Sequence, residues 1–103
     1  MAELAYQQPG SPDALALADR VIPLWQDLLK KEPGVLIYRT ELAATKAHSA
    51  VLLMRAGRTA EANSQAVRAR KDLDAILHDP TAGHYQSQRC AAALADLRQL
   101  ESP

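Results

Sequence analysis

Between Thr59 and Asp79, Ala62, Ala66, Ala69, Leu73 and Ile76 follow one another at spacings of four, three, four and three. That rhythm places side chains on one face of an α-helix. It predicts a helix that starts at Thr59, with the Thr59 hydroxyl as its N-cap and Glu61 in its first turn, and that stops at the Asp79-Pro80 break. A preceding helix is predicted over Leu36 to Ala56, with Leu42, Ala43, Ala47, Ala50, Leu53 and Met54 in its apolar stripe and Gly57 closing it in a left-handed conformation.

Upstream, Ser11-Pro12-Asp13 combines a capping hydroxyl, a proline at a position that needs no N–H, and an acid at the positive dipole end. A helix from there to about Lys31 has Ala18, Val21, Trp25 and Leu28 on one face, with Ile22 and Leu29 beside them. Pro23 lies inside it and is expected to bend it or split it near Arg20, since proline removes a helical hydrogen bond and clashes with the carbonyl four residues back. Glu32-Pro33-Gly34 ends this helix, with the glycine available for a left-handed turn. A fourth helix, from about Gly83 to Leu100, carries Cys90, Ala93, Leu94, Leu97 and Leu100 on one side and Gln, Arg, Asp and Glu on the other. No stretch alternates with period two over the length of a strand. The expected class is all-α, about four helices forming two antiparallel hairpins, with residues 1–10 as a loose lead-in and residues 11–103 as one domain.

Composition refines this picture. Twenty alanines and no phenylalanine make the core thin and the helices closely spaced. Twelve Lys plus Arg balance twelve Asp plus Glu, so no global field favours nucleic acid or an anionic membrane surface. No apolar run approaches the roughly 20 residues that a transmembrane helix requires, and the first residues lack the basic start and apolar stretch of a secretory signal. The single cysteine, Cys90, cannot form an intrachain disulfide, so a cytoplasmic setting is expected.

A shift of 47 positions superposes Glu32-Pro33 on Asp79-Pro80, Tyr38 on Tyr85, Asp27 on Asp74, Leu29 on Ile76 and Leu53 on Leu100. Overall identity at this shift is low, and the matching Pro and Tyr in equivalent turns carry the signal for a doubled unit. The segment Ala50 to Ala69, AVLLMRAGRTAEANSQAVRA, resembles the turn and second helix of a tetratricopeptide repeat (TPR), with Ala50, Leu53, Gly57, Ala62, Ala66 and Ala69 at its small and apolar positions. The segment Leu28 to Ala44 is similar to the longer linker of extended bacterial TPR-like repeats, where an acid or aromatic residue and Pro precede a Tyr-Arg pair, here Tyr38-Arg39. The resemblance covers about residues 14 to 100. The chain departs from the pattern at Ser49, where a large aliphatic residue is usual, at Ala50, where Gly is usual, and at Gln86, where Arg would follow the tyrosine. The resemblance implies protein–protein interaction, with a peptide or helix held on a concave face, in a regulatory or scaffolding segment of a bacterial signalling or transcription system.

Candidate chemistry is sparse. His48, His78, His84 and Cys90 include no pair four apart on a helix, the spacing a helical metal site would use, so no metal or other cofactor is expected. His48, in mid-helix, raises a histidine phosphotransfer domain as a remote alternative, but Ser49, Ala50, Val51 and Leu52 follow it, with no cation to hold a phosphoryl group. Ser49 and His48 are adjacent, hence about 100° apart around the helix, and cannot pair as nucleophile and base. Cys90 falls in an apolar stripe, the setting of an inert core thiol. No catalytic residue is nominated, and an enzyme is not expected. Arg55, Arg68, Arg70 and Lys71 admit two readings, a solvated face balanced by Asp72 and Asp74 or a patch for an acidic protein partner. Trp25 and Tyr38 are expected to meet near the first proline turn. Leu15, Leu17, Ile22, Leu24 and Leu29 spread apolar surface around more of the first helix than one neighbour covers, so a homodimer through that helix, and with it a self-associating structural bundle, is the competing expectation.

Overall fold

The computed structural model describes residues 12–98 and 100. Four α-helices follow one another: α1 (Pro12–Lys31), α2 (Leu36–Arg55), α3 (Thr59–Leu77) and α4 (His84–Arg98), and no strand occurs among the described residues. The fold is all-α. The start of α3 falls 47 residues after that of α1 (59 − 12), and the start of α4 falls 48 after that of α2 (84 − 36), so the two hairpins repeat at the spacing of the proline turns. The lead-in and the Ser11 cap lie outside the described residues.

The helix ends differ in chemistry. Gly57 adopts φ +83°, and around it the Arg58 N–H donates to the Leu53 carbonyl (2.9 Å) and the Gly57 N–H to the Met54 carbonyl (3.1 Å). This double bond pattern occupies two carbonyls that the end of α2 would leave unpaired, and it requires a left-handed residue between them. At the α1–α2 turn Gly34 does not take positive φ. There the Val35 N–H donates to the Glu32 carbonyl, and Val35 enters α2 from an extended conformation, so the chain reverses without a left-handed residue. Thr59 does not cap α3: Arg58 occupies the cap position, with no side-chain hydrogen bond to the helix. Arg58 instead pairs with Glu61 one turn on, its Nε at 2.9 Å from Oε1, which lowers the Glu61 carboxyl below its ordinary range and raises the guanidinium. Helix α1 runs unbroken through Pro23, which sits on its exposed side.

The core lies among α2, α3 and α4. Ala43, Ala44, Ala47 and Ala50 from α2, Ala66, Ala69, Leu73 and Ile76 from α3, and Cys90, Ala93 and Leu97 from α4 form one buried cluster. All five residues of the α3 stripe are buried, and they are the only fully buried positions of that helix. Methyl side chains let the three helices approach closely, while Leu73, Ile76 and Leu97 supply most of the volume. Each of these large side chains contributes about 1.5–3 kcal/mol of transfer free energy. Helix α2 touches all three others, which explains why its buried set exceeds the predicted stripe and includes Thr40, Ser49, Val51 and Leu52. The Thr40 hydroxyl is satisfied by the Leu36 carbonyl at 2.9 Å. Charged clips also converge on α2, with Lys46 at 3.6 Å from Asp72 of α3 and Arg39 at 3.6 Å from Asp79 at the α3–α4 corner.

Helix α1 is attached differently. It lies against α2 alone, through Ala14, Leu15 and Ala18, with Ala14 and Leu15 in a small cluster that reaches Leu52, Leu53 and Ala62. Val21, Ile22, Trp25 and Leu29 are only half-buried, and Leu28, predicted to face inward, is exposed. Trp25 does meet Tyr38, their ring centroids 6.1 Å apart and tilted by 38°.

Candidate functional site

Helices α1 and α4 stand on either side of the same face of α2. Ala14, Leu17, Ala18 and Val21 from α1, Ala44, Thr45 and His48 from α2, and Arg89, Ala93 and Asp96 from α4 line an open groove of about 330 Å³ there. Helical spacing extends this face beyond the groove. Leu24 and Leu28 follow Leu17 at seven and eleven residues and share its stripe, and Ile37 and Glu41 precede Thr45 at eight and four on α2. Tyr85 precedes Arg89 by four on α4.

Among the described residues six large apolar side chains are exposed: Leu17, Leu24, Leu28, Ile37, Val67 and Tyr85. Leu17 lines the groove, and helical spacing assigns Leu24, Leu28, Ile37 and Tyr85, but not Val67, to the same side of their helices. Leu24 is 62% and Tyr85 50% exposed. Single exposed apolar residues are ordinary, whereas several on one side of a molecule are the pattern of an interaction surface.

A polar cluster ties the α4 wall of this groove to its α2 floor. The Tyr85 hydroxyl donates to Glu41 Oε1, and Arg89 Nη2 lies 3.3 Å from Glu41 Oε2, so one carboxylate of α2 ties down the first two turns of α4. Hydrogen bonding to Glu41, with desolvation behind it, raises the Tyr85 phenol above its ordinary value. The chain matches no protein-family model, no curated protein and no solved structure. Function is therefore argued from this geometry.

The four basic residues singled out in the sequence do not form one patch. Arg70 and Lys71 line a second groove, of about 570 Å³, between α3 and α4, together with Val67, Asp74, Leu94 and Arg98. Arg68, two positions before Arg70, is exposed outside that groove, and Arg55 is exposed at the far end of α2. Asp72, expected to balance this cluster, faces Lys46 instead. Sequence reading missed Arg98, which joins Arg70 and Lys71 only through the packing of α4 on α3.

The remaining candidates separate. His48 is exposed and Ser49 buried, so they face opposite sides of α2. Arg89 reaches the groove beside His48 from α4, a cation that the residues following His48 did not reveal, but it is engaged with Glu41. His78 turns back on its own helix, Nδ1 at 2.8 Å from the Asp74 carbonyl. Cys90 is fully buried, and burial pushes its thiol above the ordinary range, away from nucleophilic character. No group of three or more metal-ligating side chains occurs among the described residues. No described helix is long and apolar enough to cross a membrane.

Proposed function

We propose that this chain is a protein-interaction module that holds an apolar segment of a protein partner on the face shared by α1, α2 and α4. The observation that carries the reading is the exposure of Leu17, Leu24, Leu28, Ile37 and Tyr85, which helical spacing places on the side of their helices that bears this groove. The reading fits the TPR-like resemblance, in which a concave helical face receives a peptide. Interaction, not catalysis, is the activity proposed. A second reading rests on the same residues: α1 has one neighbour only, so a second copy is the competing occupant, and the chain would then act as a self-associating bundle.

Selection of binders from a displayed library of amphipathic 15-residue peptides, followed by amide chemical-shift mapping, tests the proposal. Shifts centred on Leu17, Leu24, Ile37 and Tyr85, lost in a Leu17→Ser/Leu24→Ser variant that keeps its helical circular dichroism, support it. Binders that map elsewhere, or none at all, refute it. A doubled molar mass by light scattering that returns to monomer in the same variant selects the second-copy reading.

A further inference from the structure

Val67, the one exposed large apolar residue outside the α1–α2–α4 face among the described residues, is 64% exposed in the middle of α3. Val67, Arg70, Lys71 and Asp74 occur at spacings of three, one and three, a single stripe along α3. The stripe forms one wall of the α3–α4 groove, and half-buried Leu94 with exposed Arg98 forms the other. On α4, Leu94 lies five residues after Arg89, about 140° around the helix, so this groove opens on a different side of the molecule from the first.

Its charge is one-sided in a chain whose formal net charge is zero. Arg70, Lys71 and Arg98 border it with one acid, Asp74; Arg70 is already engaged, so the charge offered to an occupant is that of Lys71 and Arg98. Neither Lys71 nor Arg98 makes an ion pair among the described residues. The groove that holds α4 against α2 and α3 is lined by alanine, leucine and isoleucine and takes an apolar helix face. The α3–α4 groove has an apolar strip of the same kind, Val67 to Leu94, but cationic edges. A helix seated there would bury apolar side chains along its centre and present carboxylates on both flanks.

We infer that the α3–α4 groove is a second docking site, and that its occupant is an acidic amphipathic helix of a protein partner. Leucine-type side chains of that helix cover Val67 and Leu94, and Glu or Asp on its flanks meet Lys71 and Arg98. The site stands independently of the α1–α2–α4 face.

The probe is an amidated 18-residue helical peptide with Leu at heptad a and d positions and Glu at e and g, set against the same peptide with Lys replacing Glu. Binding is read by fluorescence anisotropy at two salt concentrations and by amide shift mapping. The Glu peptide is expected to bind about tenfold more tightly than the Lys peptide, because the contacts to Lys71 and Arg98 turn from attractive to repulsive. The preference should shrink at high salt, where the Debye length falls to about 3 Å. Shifts are expected at residues 67–74 and 94–98, and the doubly reversed variant Lys71→Glu/Arg98→Glu should bind the Lys peptide better than the Glu peptide. Lys71 and Arg98 are both exposed, so folding is retained, which circular dichroism verifies. Equal binding of the two peptides, no binding of either, or shifts centred on Leu17 and Leu24 would overturn the assignment. So would a wild-type dimer that Val67→Asp converts to monomer, since the occupant would then be a second copy.

Discussion

Helices α1 and α3 occupy equivalent places in the two hairpins and are nearly the same length, yet they are buried in opposite styles. α3 lies between α2 and α4, and its apolar residues divide sharply: the five stripe positions are buried and Val67 is the single large apolar side chain left in water. α1 has one neighbour, and its apolar residues grade from buried Ala14, Leu15 and Ala18 through half-buried Val21, Ile22, Trp25 and Leu29 to exposed Leu17, Leu24 and Leu28. An amphipathic stripe completes its burial only when a second element arrives. α3 finds that element within the chain, and we propose that α1 finds it in a partner.

Substitutions should separate the two helices. Leu73→Ala removes a side chain with no exposed surface at the centre of the α2–α3–α4 cluster. It is expected to cost about 2–5 kcal/mol, visible as a lowered denaturation midpoint at unchanged slope. The matching change on α1, Leu24→Ser, should leave stability within about 0.5 kcal/mol, because the side chain is already mostly in water. Equal losses would erase the contrast. Ala69→Leu tests the close approach that the alanines permit: with Ala69 fully buried, the added methylenes and methyls should cost about 1–3 kcal/mol by overpacking.

Two smaller effects concern the ties around α2. The Tyr85 phenol, raised by its hydrogen bond to the Glu41 carboxylate, should ionise above the usual value of about 10. Ultraviolet titration should show that shift vanish in Glu41→Gln. Because the folded value is raised, the contribution of this bond to stability is present below the unfolded phenol pKa and is lost as pH rises through the folded one. Asp79 behaves oppositely. Its carboxylate accepts from the Thr81 hydroxyl at 2.6 Å and the Thr81 N–H at 2.8 Å, with Arg39 nearby, and these hold its pKa below the ordinary 3.8. Its stabilisation of the α3–α4 corner is present above that value and fades as pH falls through the lowered one. Asp79→Asn should flatten that acid limb of the stability profile.

Much of the fold was legible because it depended on local pattern. The stripe of α3 came from spacing alone, and Gly57 from the demand for a left-handed residue after α2. Thr59 and Gly34 were misread for the same reason: capping chemistry names residues that suit an end, while the backbone bonds formed there decide whether the end uses them. Leu28 shows a deeper limit, since periodicity gives the direction of a face but not the number of helices that cover it. The candidate sites were least legible. Glu41 and Arg89 are 48 residues apart, as are Tyr38 and Gln86, and only packing decides which such pair meets. Arg70 and Arg98 likewise share a groove with no sequence motif to join them.

Hydrogen exchange by mass spectrometry, on the free chain and on the chain saturated with a selected peptide, tests the central claim most directly. The account predicts that amides of residues 14–31 exchange well before those of residues 62–76 in the free chain, and that the peptide slows α1 while leaving α3 unchanged. Equal protection of α1 and α3 in the free chain, or a peptide that protects neither α1 nor the facing turns of α2 and α4, would contradict it.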